Sequence, residues 1–197
     1  MTNKKQITRA DLLSPDEYGK IREATRREAI ALKKARRLHV GPFATFHFEN
    51  YDIMWRQVQE MLFIERGGEE QIEEELGAYN PLIPNGRELV ATFMLEIPDE
   101  GQRRELLARL GGIEESICIR IDDEVVRAEA ETDVDRTTAA GKASSVHFLH
   151  FPFTGSQIAR FREPDAEVSL VIEHPEYRHM AVITEPAKSE LARDFES

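Results

Sequence analysis

The fold class is decided by Ser116-Ile-Cys-Ile-Arg-Ile-Asp122, then Asp123-Glu124, then Val125-Val-Arg-Ala-Glu-Ala-Glu131. Ile117, Ile119 and Ile121 recur at every second position, the period of a strand with one buried face. Asp122-Asp123-Glu124 makes a tight turn, and Val125–Glu131 reads as the returning strand. Strands joined by so short a turn are antiparallel, because a parallel pair needs a long crossover. Working outward, Leu89–Glu96 lies upstream, and Ser145–Phe153, Glu167–His174 and Arg178–Thr184 lie downstream as further strands. Phe43–Glu49 adds another, with Ala44, Phe46 and Phe48 facing one way and Thr45, His47 and Glu49 the other.

The first third is helical instead. Ser14-Pro-Asp-Glu17 is a capping box with proline at the first helical position, and it opens a helix running to about Arg37. Tyr18, Ile21, Thr25, Ala29 and Leu32 form its apolar stripe, while Arg22, Arg26, Lys33 and Arg37 fall on another face. A second helix spans about Tyr51 to Arg66, with Met54, Val58, Met61 and Leu62 in its stripe. Glu69–Leu76 is a short acidic helix, and further short helices start at Asp99, Thr154 and Pro186. Long helices followed by hairpin-linked strands predict an α+β domain. The expected architecture is one antiparallel sheet of about six or seven strands with two longer N-terminal helices packed against it. Residues 1–197 read as a single domain, with 1–14 a flexible N-terminus and 132–145, small and polar throughout, a mobile loop.

Charge is distributed unevenly. Residues 1–37 carry eleven Lys or Arg against five Asp or Glu, a balance of +6 within a chain of net charge −11. The acidic remainder makes general nucleic-acid binding unfavourable, since phosphates would be repelled over most of the surface. No apolar run reaches membrane-spanning length, and the first residues lack a signal peptide's apolar stretch, so a cytoplasmic protein is expected. One cysteine, Cys118, excludes an internal disulfide and a cysteine-held iron–sulfur cluster. Gly141-Lys142-Ala143 fails as a phosphate loop because Arg136 replaces its first glycine, and no dinucleotide or nucleophile-elbow motif is present.

Two constellations remain as candidate sites. Guanidinium groups one turn apart suit anionic ligands, so Arg22 and Arg26, with His47 and Glu49 of the first strand and Gln57 and Glu60 of the second helix, form a candidate small-anion or enzyme site. The alternative is that the arginines meet carboxylates of their own chain. The second constellation is histidine. A turn centred on Glu176-Tyr177 sets His174 directly across from His179, and His150 is the candidate third ligand of a divalent metal. The same rings serve equally to cap one end of the core. Cys118 reads as a packed, unreactive thiol.

The chain also resembles an uncharacterised bacterial family catalogued as domain of unknown function 3501. The resemblance is carried by Tyr18-x3-Arg22-x3-Arg26, Lys33-x2-Arg36-Arg37-x2-Val40-Gly41-Pro42, Phe48-Glu49-Asn50 and Gln59-Glu60-Met61-Leu62. It continues through Asn80-Pro-Leu-Ile-Pro84, Glu88-Leu-x-Ala-Thr92, Val146-His-Phe148 and His174-Pro-x-Tyr177. The family has no assigned reaction, so the resemblance implies no catalytic residue. Members tend to be encoded near rubrerythrin-like and iron–sulfur proteins. That setting implies a non-catalytic accessory protein that docks a redox partner, with the basic first helix as the expected surface.

Overall fold

The computed structural model describes residues 4–131 and 143–196. Most of the segment expected as a mobile loop, 132–142, lies outside the described residues. The chain runs α1 (Pro15–Ala35), β1 (Arg37–Val40), β2 (Ala44–Phe48), α2 (Tyr51–Glu65), α3 (Gly68–Tyr79), β3 (Glu88–Leu95) and α4 (Glu100–Arg109). It continues with β4 (Ile117–Ile121), β5 (Glu124–Arg127), β6 (Glu129–Ala130), β7 (Val146–Pro152), α5 (Gly155–Arg162), β8 (Val168–His174), β9 (Tyr177–Val182) and α6 (Ala187–Leu191).

The α+β class stands, but the single sheet does not. The described strands form two antiparallel sheets, one in the order β1-β2-β3-β7-β6 and one in the order β5-β4-β8-β9. The segment read as one strand, Val125–Glu131, is divided at Ala128: β5 pairs with β4 in the second sheet, and β6 pairs with β7 in the first. A strand that bends from one sheet to the other makes a corner between two packed layers. Inward side chains of both sheets form one apolar cluster, including Phe46, Phe93 and Phe151 from the first and Ile119, Leu170 and Ile172 from the second. Tyr177 ties the layers together. Its hydroxyl donates to Val40 O at 2.8 Å and accepts from the Phe43 and Ala44 amides at 2.9 and 3.0 Å.

The outer face of the first sheet is covered by helix, which explains why Val90 is as buried as its neighbours Leu89 and Ala91. Val90 joins Tyr51, Ile53, Met54, Val58 and Leu62 of α2 in a second cluster. α1 lies against α2 rather than on the sheet. Tyr18 meets Trp55 and Phe63 edge-on, each at 6.0 Å. Only Tyr18 and Ala29 are buried along its 21 residues.

Within the N-terminal segment expected to be flexible, the described residues from Lys4 are anchored at Ile7. Ile7 is buried in the second cluster, and its amide and carbonyl both bond the Asn80 side chain, at 2.8 and 3.0 Å. The β1–β2 loop depends on Gly41, whose φ is +72°. A Cβ there would lie 2.6 Å from the His179 ring, so the loop closes against β9 only with glycine.

Candidate functional site

α1 ends where Arg36 caps it, its amide bonding Leu32 O at 3.1 Å. The Arg36 side chain then turns inward and is 1% exposed. Its Nε donates to Phe48 O at 3.0 Å and its Nη2 to Glu49 O at 2.9 Å. The same guanidinium pairs with Asp194 and Glu190 near the C-terminus. Two carbonyls at the end of β2 are thus held by the residue that ends α1. Asn50, next in sequence, caps α2 by accepting from the Ile53 amide at 3.0 Å. These bonds fix the backbone on both sides of Glu49.

Beside this junction lies a cleft of about 240 Å³ whose lining includes Lys33, His47, Glu49, Thr92, Ile53 and Met94. His47 and Glu49 alternate out of β2 on one face, about 7 Å apart along the strand. His47 is registered opposite Thr92 of β3 and Arg37 of β1. The Thr92 hydroxyl donates to Glu49 Oε1 at 2.7 Å. Lys33 overhangs from the last turn of α1.

Burial pushes the Glu49 carboxyl well up, outweighing the Thr92 hydrogen bond and the attraction of Lys33 and Arg36. The same loss of solvent pushes the half-buried His47 imidazole down; Glu96 opposes this, and Arg37, Lys33 and His39 add to it. Both shifts favour the neutral forms. Lys33 and Arg37 are exposed and hold no ion pair among the described residues. The cleft therefore sets a carboxyl and an imidazole, each shifted toward its neutral form, beside the Lys33 ammonium. Lys33→Ala is expected to raise the titration midpoint of His47, because a like charge is removed. Proton NMR of the imidazole across pH 5 to 8 reads this; an unchanged midpoint would show that Lys33 does not act on the ring.

The sequence groups His47 and Glu49 in one candidate site with Arg22, Arg26, Gln57 and Glu60, and the structure separates the two groups. Arg22 lies three turns before Lys33, about 16 Å along the helix. Its guanidinium bonds Glu60 at 2.9 Å and sits 4.8 Å from the Phe63 ring centre. Glu60 also accepts from the Tyr18 hydroxyl at 2.8 Å and from Arg56 at 3.2 Å. Arg22 and Glu60 thus join α1 to α2, as the alternative of internal carboxylates required. Arg26 is exposed and Gln57 half-buried, and neither lines the cleft. Lys33 was recognised only as part of the basic face, and Thr92 only as a strand residue. Thr92 joins the site through its register with His47 and Lys33 through the placement of α1, and no local pattern reveals either.

The histidine constellation is corrected. The hairpin turns on Pro175-Glu176, so His174 pairs with Tyr177 and His179 with Ile172. Proline suits the first corner of a two-residue turn, and the buried Tyr177 hydroxyl holds this register. His174 spends both ring nitrogens locally, accepting from the Glu176 amide at 3.2 Å and bonding Gly111 O at 3.3 Å. It caps the end of the core. His179 packs edge-on against the Tyr177 ring. His150 belongs to the other sheet, bonded to Glu88 at 3.0 Å and Glu131 at 3.3 Å. No three His, Cys, Asp or Glu among the described residues are grouped to hold a metal ion.

His150 carries a prediction of its own. Glu88, then Glu131, push its pKa up against burial. A histidine raised on folding contributes stability below its unfolded pKa of about 6.5 and loses it as pH rises through the folded value. His150→Gln should cost on the order of 1 kcal/mol at about pH 6 and distinctly less at about pH 9. Urea unfolding at the two pH values decides it; an equal cost at both would remove the charged pair from the account.

A family model described as "Protein of unknown function (DUF3501)" matches residues 6–195. A crystal structure described as a novel protein of unknown function from Burkholderia pseudomallei K96243 is 39% identical, with a TM-score of 0.88. The alignment covers 97% of this chain and 100% of that one. A search of curated proteins finds no match. No helix among the described residues is long and apolar enough to cross a membrane.

Proposed function

The chain belongs to the DUF3501 family, and from its cleft geometry we propose that it binds a small anion between Lys33, His47 and Glu49. One observation carries this reading. Glu49 is 7% exposed and burial shifts its carboxyl toward the neutral form, so it opposes an anion less than a solvated carboxylate would, while Lys33 lines the same cleft and holds no ion pair among the described residues. Paired perturbed groups in a concave site are the usual mark of a functional pocket.

Titration with sodium phosphate and sodium acetate at constant ionic strength, following the His47 ring by NMR, tests the proposal. The expected result is a saturable shift that weakens about tenfold or more in Lys33→Ala and fades at high salt. A linear, unsaturating drift matching that of the exposed His179 would reject it.

A second reading is favoured by α1. Over 21 residues it buries only two, and Ile21 and Ile30 stand 38% and 60% exposed among basic side chains. Such a convex, open surface suits docking of an acidic macromolecule, and the family's genomic setting implies a redox partner, rubrerythrin-like or iron–sulfur. Co-elution of the purified proteins, abolished by Arg27→Glu with Lys34→Glu, would support it. Independent migration at low salt would end it.

A further inference from the structure

Resting on the small-anion reading, we infer that the cleft selects a short aliphatic carboxylate, held by its head group at Lys33 and Glu49 and by its tail against Ile53 and Met94. The lining of the cleft is of two kinds. Lys33 supplies charge, while Ile53 and Met94 supply apolar lining. A bare tetrahedral anion would leave that apolar lining unused. An anion with a hydrocarbon tail removes it from water.

Size points the same way. At roughly 30 Å³ for each water-sized group, about 240 Å³ admits about eight such groups, enough to take up an acid of three to six carbons. Glu49 supplies the second head-group contact. Thr92 donates to one of its oxygens, Oε1, which leaves Oε2 to meet the head group, and the burial that raises this carboxyl favours the form in which Oε2 carries an O–H. A carboxylate accepts from that O–H in a charge-assisted hydrogen bond. His47, on the same face of β2, flanks the head group as a neutral ring. An amine-bearing ligand would meet Lys33 and is disfavoured.

Isothermal titration calorimetry of the full chain with acetate, propionate, butyrate and pentanoate, and separately with inorganic phosphate, tests this. Each added methylene should tighten binding about fourfold until the cleft is filled. Butyrate should therefore exceed acetate by roughly fifteenfold and should also exceed phosphate. Met94→Ala should flatten the chain-length series, and Lys33→Ala should weaken every member of it. Phosphate binding as tightly as butyrate, with no dependence on chain length, overturns the carboxylate assignment and leaves the small-anion reading standing. Failure of every anion to bind overturns both.

Discussion

Arg36→Ala is expected to destabilise the fold by about 3–5 kcal/mol at neutral pH, the range measured when one member of a buried ion pair is removed. The side chain is 1% exposed and serves four acceptors: two carbonyls at the end of β2, Asp194, and Glu190. Alanine would leave Asp194 buried without its counter-charge and would orphan the Phe48 and Glu49 carbonyls. Urea unfolding, with the slope checked for two-state behaviour, measures the loss. A cost below about 1 kcal/mol would mean that water replaces the guanidinium and that the junction holds itself.

The partner adds a pH dependence. Burial pushes Asp194 up to about 6, beyond what Arg36 pulls back, and Glu190 raises it further. Between its unfolded value of about 3.9 and this folded one, the native state keeps a proton that the unfolded chain has released. Asp194 therefore lowers stability as pH climbs from about 4 to about 6, the reverse of an ordinary salt-bridged carboxylate. Asp194→Asn should lose that descending slope. Comparing urea midpoints of the two proteins across this window isolates it from the other carboxylates, and parallel curves would refute it.

Tyr177→Phe should cost about 3 kcal/mol although it removes a single oxygen. That oxygen satisfies three backbone groups in the β1–β2 loop, and an unmet buried group costs about 1–3 kcal/mol. Burial raises the Tyr177 pKa, so the hydroxyl keeps the proton that it donates to Val40. The loss should appear locally as well. Amide exchange at Ala44 should quicken more than exchange at Phe93 in the centre of the first sheet, because the bond that joins the layers opens first. Equal acceleration at both amides would make the effect one of global stability alone.

The sequence by itself determined what depends on neighbours within a few residues. Ser14, Asp99 and Thr154 cap their helices through the side chains read there, since a cap closes its hydrogen bond over three residues. Strand identity and inward face were equally local: Ile117, Ile119 and Ile121 point into the core because a strand alternates with period two. His47 and Glu49 could be assigned to one face for the same reason. Tertiary structure alone decided which strands meet. Ala128 marks a passage between sheets, and nothing within Val125–Glu131 distinguishes a bend from a continuous strand. The register of His174 was settled by Tyr177 finding Val40, 137 residues away in sequence. Burial of Arg36 and Glu49 was settled in the same manner. An arginine at the end of a basic helix and a glutamate in a polar stripe look solvent-bound in sequence; their burial, and with it the desolvation that raises the Glu49 carboxyl, depends on how distant segments pack around them.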